Sequence, residues 1–133
     1  MDECAADSRR GACDNWHLPG VDLADLAERI GDSRALLGHL FRLFAEEAPE
    51  AVTELRAALA AAEPMQAVMP AHRLKGMAGG LAMGDLQASA HALEAAARAG
   101  DAAGLSAALV VVEAQLGDLL PAIAALPETD GMP

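Results

Sequence analysis

The segment from His72 to Gly80 combines a nucleophilic side chain, a cation and three glycines at helical spacing. His72 supplies an imidazole, which is partly neutral near pH 7 and can attack an electrophilic centre. Lys75 follows one helical turn later, where its ammonium group can pair with an anion held on that imidazole. A phosphoryl group has negative oxygens that need a cation and bulk that needs open space. These residue types therefore favour a phosphoryl group carried on His72.

The glycines at 76, 79 and 80 are unfavourable inside a helix, each by about 1 kcal/mol relative to alanine. At about 100° per residue they lie within a third of a turn of His72, opposite an apolar stripe. We interpret Gly76 as a position that gives access to the imidazole, and Gly79 and Gly80 as positions under a docked partner. The alternative is close packing of a neighbouring helix. It would require the His72 side to be buried, and the apolar stripe argues against that.

Apolar side chains share the His72 face of the same helix, and we expect them to form an exposed docking patch. They are Val68, Met69 and Met83. Residues of the preceding helix are expected to extend the patch, because adaptable methionines suit transient interfaces. Met77 falls on the core side by its helical angle.

Charge is distributed unevenly along the chain. The 20 acidic and 9 basic residues give a formal charge of -11, whereas Arg73 and Lys75 are the only charged residues from Pro64 to Gly84. A net charge of this sign repels nucleic acids and anionic lipids, so proteins or small molecules are the expected partners. We interpret Arg73 as a surface residue or a secondary contact, outside the core of the site. No carboxylate lies on the His72 face of the helix, so any Mg²⁺ for phosphoryl transfer would come from the partner.

The elements that position His72 are expected to be helices. The composition is 53% hydrophobic but only 2% aromatic, which favours closely packed helices. Apolar periodicity predicts a short helix capped by Asp22 and ending at Ile30, and a long second helix that Pro49 kinks or divides. A third helix over about 65–83 and two further helices follow. The prediction is an all-α protein, an antiparallel four-helix bundle with a short extra N-terminal helix.

Glycine and proline mark the expected helix boundaries. Gly31 is expected to stop the first helix and Asp32 to cap the second, and the Gly-Asp pair recurs at 84–85 and 100–101 as candidate corners. Pro70 removes a backbone donor two residues before His72. It therefore predicts a bend in the third helix or a late start.

The rest of the sequence indicates where the helical domain begins and ends. We expect a flexible leader over 1–17, the bundle over 18–126 and a flexible tail over 127–133. Cys4 and Cys13 lie in the leader without a second Cys/His pair, and no His-x-x-x-His or Glu-x-x-His pair occurs, so no metal site is expected. No run approaches about 18 apolar residues and the N-terminus lacks signal-peptide order, so we expect a cytoplasmic chain without membrane insertion.

The pattern around the histidine is similar to that of a known family. It resembles the signature of histidine-containing phosphotransfer domains, the His-x-Leu-Lys-Gly modules of bacterial multistep phosphorelays. The likeness covers about residues 18–125 and includes the segments "LPGVDLADLAERIGD" and "HALEAAARAGD". The residues that carry it most specifically are His72, Arg73, Leu74, Lys75 and Gly76, followed by Ala78, Gly79, Leu81 and Leu86.

This resemblance implies a phosphocarrier rather than an enzyme with its own ATP site. The phosphoryl group would travel between aspartates of receiver domains on an imidazole nitrogen of His72. The family's lysine and glycine correspond to Lys75, which would support the phosphate, and Gly76, which would give access. The implied partners are response-regulator receiver domains, which would hold Mg²⁺, and a hybrid histidine kinase. We expect a monomer that binds no cofactor itself.

Three positions depart from the family pattern. Gly80 stands where a polar residue is common, Ala82 stands where glycine is usual, and Pro70 is unexpected so close to the histidine. A second hypothesis is therefore a non-catalytic adaptor bundle that docks a receiver without chemistry. The intact His72, Lys75 and Gly76 favour the phosphocarrier.

Overall fold

The structure is a computed structural model and describes residues 16–127. Within them lie the helices α1 (Leu23–Ile30), α2 (Arg34–Ala60), α3 (Val68–Gly80), α4 (Gly84–Arg98) and α5 (Ala102–Ala124), and a 3₁₀ turn (Pro64–Ala67) precedes α3. No strand occurs in this part of the chain. The prediction of an all-α protein is confirmed.

The core lies between α2, α3, α4 and α5. Helix α3 packs against α2 and α4, and α5 packs against the same two neighbours. Small buried residues let the helices approach closely, and two phenylalanines of α2 fill the wider space. The buried side chains of α3 and α4 are mainly alanine and leucine, and they include Ala71, Leu74, Ala78, Ala90, Leu93 and Ala97.

Trp16 belongs to this core. Its ring is buried and meets Phe41 edge to face, with ring centroids 6.3 Å apart. The predicted leader over 1–17 is therefore too long at its C-terminal end, because an aromatic ring with this contact is part of the packed chain. Residues 1–15, with Cys4 and Cys13, and residues 128–133 of the predicted tail lie outside the described range.

Capping explains the first two helices. Asp22 caps α1 with its side chain as predicted, and Gly31, at φ 97°, follows the last residue of that helix. The predicted cap of the second helix, Asp32, is wrong by one residue. The hydroxyl of Ser33 accepts a hydrogen bond from the backbone N–H of Leu36 at 3.2 Å, so Ser33 occupies the capping position.

Helix α2 runs without interruption through Pro49. Of the two predicted effects of Pro49, a kink or a division, the division is wrong. A proline inside a helix costs about 3 kcal/mol because one backbone hydrogen bond is lost. Ala48, Ala51 and Val52 are buried around it, and this tertiary packing keeps the chain helical.

The predicted third helix over about 65–83 is too long at both ends. The chain first forms the 3₁₀ turn, so α3 starts at Val68 and Pro70 falls in its first turn, where a backbone N–H would have no partner within the helix. The late start that Pro70 predicts is thus confirmed. At the other end α3 stops at Gly80 and the chain reverses at Ala82, whose φ is 57°.

The same backbone motif ends α2, α3 and α4. One residue in the left-handed conformation follows each helix, and the next backbone N–H donates to a carbonyl five residues back, as in a Schellman motif. The left-handed residues are Ala62, Ala82 and Gly100. The hydrogen bonds run from Glu63 to Ala58 at 3.0 Å, from Met83 to Ala78 at 2.9 Å and from Asp101 to Ala96 at 2.9 Å.

Helix α5 is long and apolar enough to cross a membrane if only length and composition are considered. Its most apolar window has a mean hydropathy of 1.6, and 28% of that window is buried. One such helix is weak evidence, because a core helix of a soluble protein passes the same test. Leu105, Val112 and Ile123 of α5 lie in the core described above. The absence of membrane insertion stays a prediction.

Candidate functional site

His72 projects from the outer side of α3. Ala71, Leu74 and Ala78 are fully buried on the other side of that helix, and 58% of the His72 side chain is exposed. Its Nδ1 lies 3.1 Å from the Oε2 atom of Glu94 on α4. The site is therefore formed by two helices and not by α3 alone.

Basic side chains surround the carboxylate of Glu94, a side chain that is only 7% exposed. Lys75 Nζ lies 2.7 Å from Oε1, and Arg98 Nη2 lies 2.7 Å from Oε2, the oxygen that also faces His72. Hydrogen bonding to Lys75 and then to Arg98 lowers the pKa of Glu94 to about 2, against the opposing effect of burial. The carboxylate is therefore ionised at neutral pH.

The charge on Glu94 selects the tautomer of a neutral imidazole. An ionised carboxylate can only accept hydrogen bonds, so His72 must donate through Nδ1–H. In a neutral ring the lone pair then lies on Nε2. This nitrogen has no hydrogen-bond partner among residues 16–127. The geometry therefore leaves Nε2 as the ring nitrogen that is open to an incoming group.

The two cations of the histidine motif differ in their surroundings. Lys75 is half-buried and held by Glu94 beside His72. Arg73 points toward α2, where its Nη2 lies 2.9 Å from an oxygen of Glu54 on the exposed surface. Arg73 is thus a surface residue, as the sequence analysis expects, and Lys75 belongs to the site.

The three glycines of α3 have different neighbours. A Cβ atom added at Gly76 or Gly80 would meet no atom within 4 Å, so packing inside the chain does not require glycine there. A Cβ at Gly79 would lie 2.7 Å from Nε2 of Gln87 on α4. This atom belongs to the flexible end of the Gln87 side chain, which can shift, so packing inside the chain does not require glycine at Gly79 either. The space above Gly76 and Gly80 is open.

The predicted docking patch is only partly exposed. Met69 is 68% exposed, but Val68 and Met83 are 9% and 1% exposed, so their predicted place on an open patch is wrong. Val68 lies about 20° from Lys75 around the helix axis, on the flank that meets α4. Met83 follows the reversal at Ala82, and the chain there carries it into the core instead of along the helical face.

Sequence analysis missed Glu94 and Arg98. One signal was present, since Glu94 directly follows Leu93 on the apolar stripe of α4 and is spaced one turn before Arg98. A carboxylate beside an apolar stripe is rarely left without partners. Its contact with His72, 22 residues away, depends on the geometry of the α3–α4 turn. Helical spacing within α3 carries no information on that turn.

The described residues offer no fit for a metal ion. No group of three His, Cys, Asp or Glu side chains within 16–127 is placed to hold one. Glu94, the carboxylate nearest His72, is occupied by Lys75 and Arg98.

Comparison with known families identifies a domain that includes this site. The family model of the Hpt domain matches residues 39–125, a range that contains His72, Lys75 and Glu94. The chain belongs to the Hpt domain family. Hpt domains are phosphocarriers that take part in phosphorelays and interact with receiver domains. No curated protein and no solved structure matches the chain at a significant level.

Proposed function

We propose that this chain relays a phosphoryl group between receiver-domain aspartates of a two-component system and carries it on Nε2 of His72. The observation that supports the proposal best is the hydrogen bond from Nδ1 to the ionised Glu94. Membership of the Hpt family supports the reaction class. The antiparallel arrangement of α2 to α5 is part of the proposal, and the contacts of α3 and α5 with both α2 and α4 support it.

The transfer step balances without a proton from solvent. The Nε2 lone pair attacks the phosphorus of an aspartyl phosphate, the Nε2–P bond forms, and the P–O bond breaks so that the aspartate leaves as a carboxylate. Nδ1 keeps its proton, and the ring becomes a cation that Glu94 stabilises at 3.1 Å. The reverse step delivers the group to the next receiver with neutral imidazole as the leaving group.

Lys75 and Gly76 assist this step in different ways. The Lys75 ammonium is already held beside the imidazole by Glu94, so little reorganisation is needed before it pairs with phosphoryl oxygens. Gly76 lies one turn beyond His72 and leaves open space above α3. Incoming phosphoryl groups are bulky, and a side chain at this position would narrow their approach.

The receiver is proposed to supply Mg²⁺ and the carboxylates that bind it. Glu94 is a poor metal ligand in this arrangement because it already pairs with Lys75 and Arg98. We extend the proposal to a monomeric, cytoplasmic, bacterial phosphocarrier that has no ATP site and receives its phosphoryl group from a hybrid histidine kinase.

Transfer to a receiver tests the proposal. The chain is phosphorylated with phosphoramidate, purified, and mixed with a panel of purified receiver domains in the presence of Mg²⁺. We expect at least one receiver to gain an aspartyl phosphate while the chain loses its own, and His72→Ala to take up none. A chain that binds a receiver but never takes up a phosphoryl group would instead be the non-catalytic adaptor.

A further inference from the structure

Helix α1 is hydrogen-bonded to the end of α3 at two points. The backbone N–H of Asp22, which precedes α1, donates to the carbonyl of Ala82 at 2.9 Å. Nη1 of Arg29, in the last turn of α1, donates to the carbonyl of Gly79 at 2.8 Å. Leu26 lies between these two points along α1 and is fully buried. Both ends of α1 are therefore tied to the turn that connects α3 with α4.

The C-terminal end of α3 has little support of its own. Its last turn contains two glycines and no basic residue, so no side chain of α3 compensates the carbonyls at this helix end. Within the turn, the carbonyl of Gly79 accepts from the N–H of Ala82 at the long distance of 3.4 Å. Arg29 is the closer donor. It supplies from α1 the cation that a helix C-terminus favours.

The guanidinium of Arg29 is itself oriented within α1. Its Nε and Nη2 donate to Oδ2 of Asp25 at 3.0 and 2.7 Å, and its Nη1 donates to Gly79. An exposed ion pair of this kind contributes little to stability by itself. A planar guanidinium held along one edge does, however, present its remaining donors in a fixed direction. Asp25 therefore directs Arg29 at the end of α3.

The α3–α4 turn links this contact to the phosphoacceptor site. His72 lies two helical turns before Gly79, about 10 Å along the axis, so Arg29 bonds to α3 well away from the imidazole. The connection between the helices, residues 81–83, is short and buried, and a shift of the α3 end is therefore passed on to α4. The distance of 3.1 Å from His72 Nδ1 to Glu94 is close to the upper limit of about 3.2 Å for such bonds. A small shift of α4 along α3 would break it.

We propose that Arg29 is a positioning residue of the phosphoacceptor site, which acts through the α3–α4 turn to keep Glu94 within hydrogen-bond distance of His72. The effect on phosphoryl uptake rests on the proposed function, whereas the effect on the imidazole tautomer does not. Helix α1 precedes residues 39–125, the range that the family model matches. The family match therefore does not account for this contact.

Removing the guanidinium tests the role of Arg29. Arg29→Ala loses the contact with Gly79, and Arg29→Lys keeps the charge and a single donor group. Arg42→Ala is the matched control, because Nη2 of Arg42 also donates to a backbone carbonyl, that of Pro127 beyond α5, at 3.2 Å. The ¹⁵N chemical shifts of the His72 ring report its tautomer in the unphosphorylated chain. Intact-mass time courses with phosphoramidate report the loading rate.

The expected result distinguishes positioning from a general loss of structure. Arg29→Ala should lower the share of the Nδ1–H tautomer and slow loading severalfold, and Arg29→Lys should recover part of both. Arg42→Ala should match the wild type. In a chain that already carries Glu94→Ala, removal of Arg29 should slow loading no further, because Arg29 acts through Glu94.

Three results would overturn the inference. They are wild-type ¹⁵N shifts in Arg29→Ala, equal changes in Arg42→Ala, and a further loss of loading when Arg29→Ala is added to Glu94→Ala. If the wild-type chain takes up no phosphoryl group, the proposed function fails, and the ¹⁵N shifts still decide whether Arg29 positions the imidazole.

Discussion

The carboxylate of Glu94 determines which nitrogen of His72 is available for reaction. It lies 3.1 Å from Nδ1 and is ionised because Lys75 and Arg98 pair with it. Partners of this kind orient a reactive imidazole and set its tautomer. The reactivity proposed for the exposed ring would therefore depend on a buried group of the neighbouring helix.

Replacing Glu94 separates its hydrogen bond from its charge. We expect phosphoramidate to modify Glu94→Ala about tenfold more slowly than the wild type, because the ring loses its orientation and its fixed tautomer. The modification rate of Glu94→Gln should lie between the rates of Glu94→Ala and the wild type, since its amide oxygen still accepts a hydrogen bond from Nδ1–H but carries no charge. Intact-mass time courses measure the rates, and ¹⁵N chemical shifts of His72 report the tautomer. Equal rates for all three proteins would contradict this assignment.

The lowered pKa of Glu94 also predicts how stability depends on pH. Its pKa falls from 4.5 to about 2 on folding, so the unfolded chain binds a proton first as the pH drops. The stabilisation is complete above the unfolded value and is lost as the pH falls toward the folded value. Urea unfolding of wild type and Glu94→Gln at about pH 6 and pH 3 should therefore show a smaller difference at the lower pH.

A control is needed for the general effect of removing one negative charge. Glu46→Gln removes an exposed carboxylate of α2 and serves this purpose. A difference between wild type and Glu94→Gln that stays constant over this range would show that Glu94 is not held by its basic neighbours.

The sequence predicts the positions of some individual side chains better than those of others. Spacing alone places His72 outside, with Lys75 one turn away, because both lie within one regular helix. Glu94 joins them through packing between helices, which spacing does not encode. Met83 was misplaced because the helical angle was continued past the reversal at Ala82.

Three helices, α2, α3 and α4, end in the same left-handed turn. Glycine adopts this conformation without steric cost, as Gly100 does after α4. Alanine occupies it after α2 and α3, at Ala62 and Ala82. A left-handed alanine costs roughly 1–2 kcal/mol, so the fold retains some strain at these two corners.

Ala62 offers a direct test of this strain, because it is exposed and its methyl group makes no contribution to the core. We expect Ala62→Gly to stabilise the protein by about 0.5–1 kcal/mol, the steric relief exceeding the entropy that glycine adds to the unfolded chain. Gly100→Ala makes the reverse change and should cost about 1 kcal/mol. Urea unfolding measures both, and a loss of stability in Ala62→Gly would contradict the argument.

Gly76 lowers the helix propensity of α3 and leaves open space near His72. Gly76→Ala should stabilise the protein by about 1 kcal/mol through helix propensity, since the added methyl group meets nothing in the fold. The same methyl group should slow transfer to a receiver severalfold. Gly117→Ala in α5 is the matched control, because its Cβ also meets no atom within 4 Å. Unchanged transfer by Gly76→Ala would show that this glycine has no part in access.

The elements themselves were largely predictable. The short α1, its cap at Asp22 and the late start caused by Pro70 follow from local chemistry. Pro49 does not divide α2, because burial on both sides of it outweighs its local preference. The 3₁₀ turn before α3 was also missed, since the apolar spacing of that segment fits either kind of helix.

At the scale of the whole molecule, a chain of strongly negative formal charge contains a site where basic groups outnumber carboxylates. The formal charge of -11 contrasts with Lys75, Arg98 and His72 gathered on a single carboxylate. Such a contrast favours approach of an acidic partner to the site and disfavours other orientations. The composition predicted the overall charge and the helical class, but the local reversal of charge needed the packing of α3 on α4.

The most direct test of the central claim is the intact mass of the chain after incubation with phosphoramidate. The wild type should gain the mass of one phosphoryl group, lose it in mild acid, and show ¹⁵N and ³¹P signals of an Nε2-phosphorylated ring. His72→Ala should gain none, whereas His39→Ala, which removes another exposed histidine, should match the wild type. A phosphoryl group that persists in His72→Ala, or that is attached to Nδ1 in the wild type, would contradict the account.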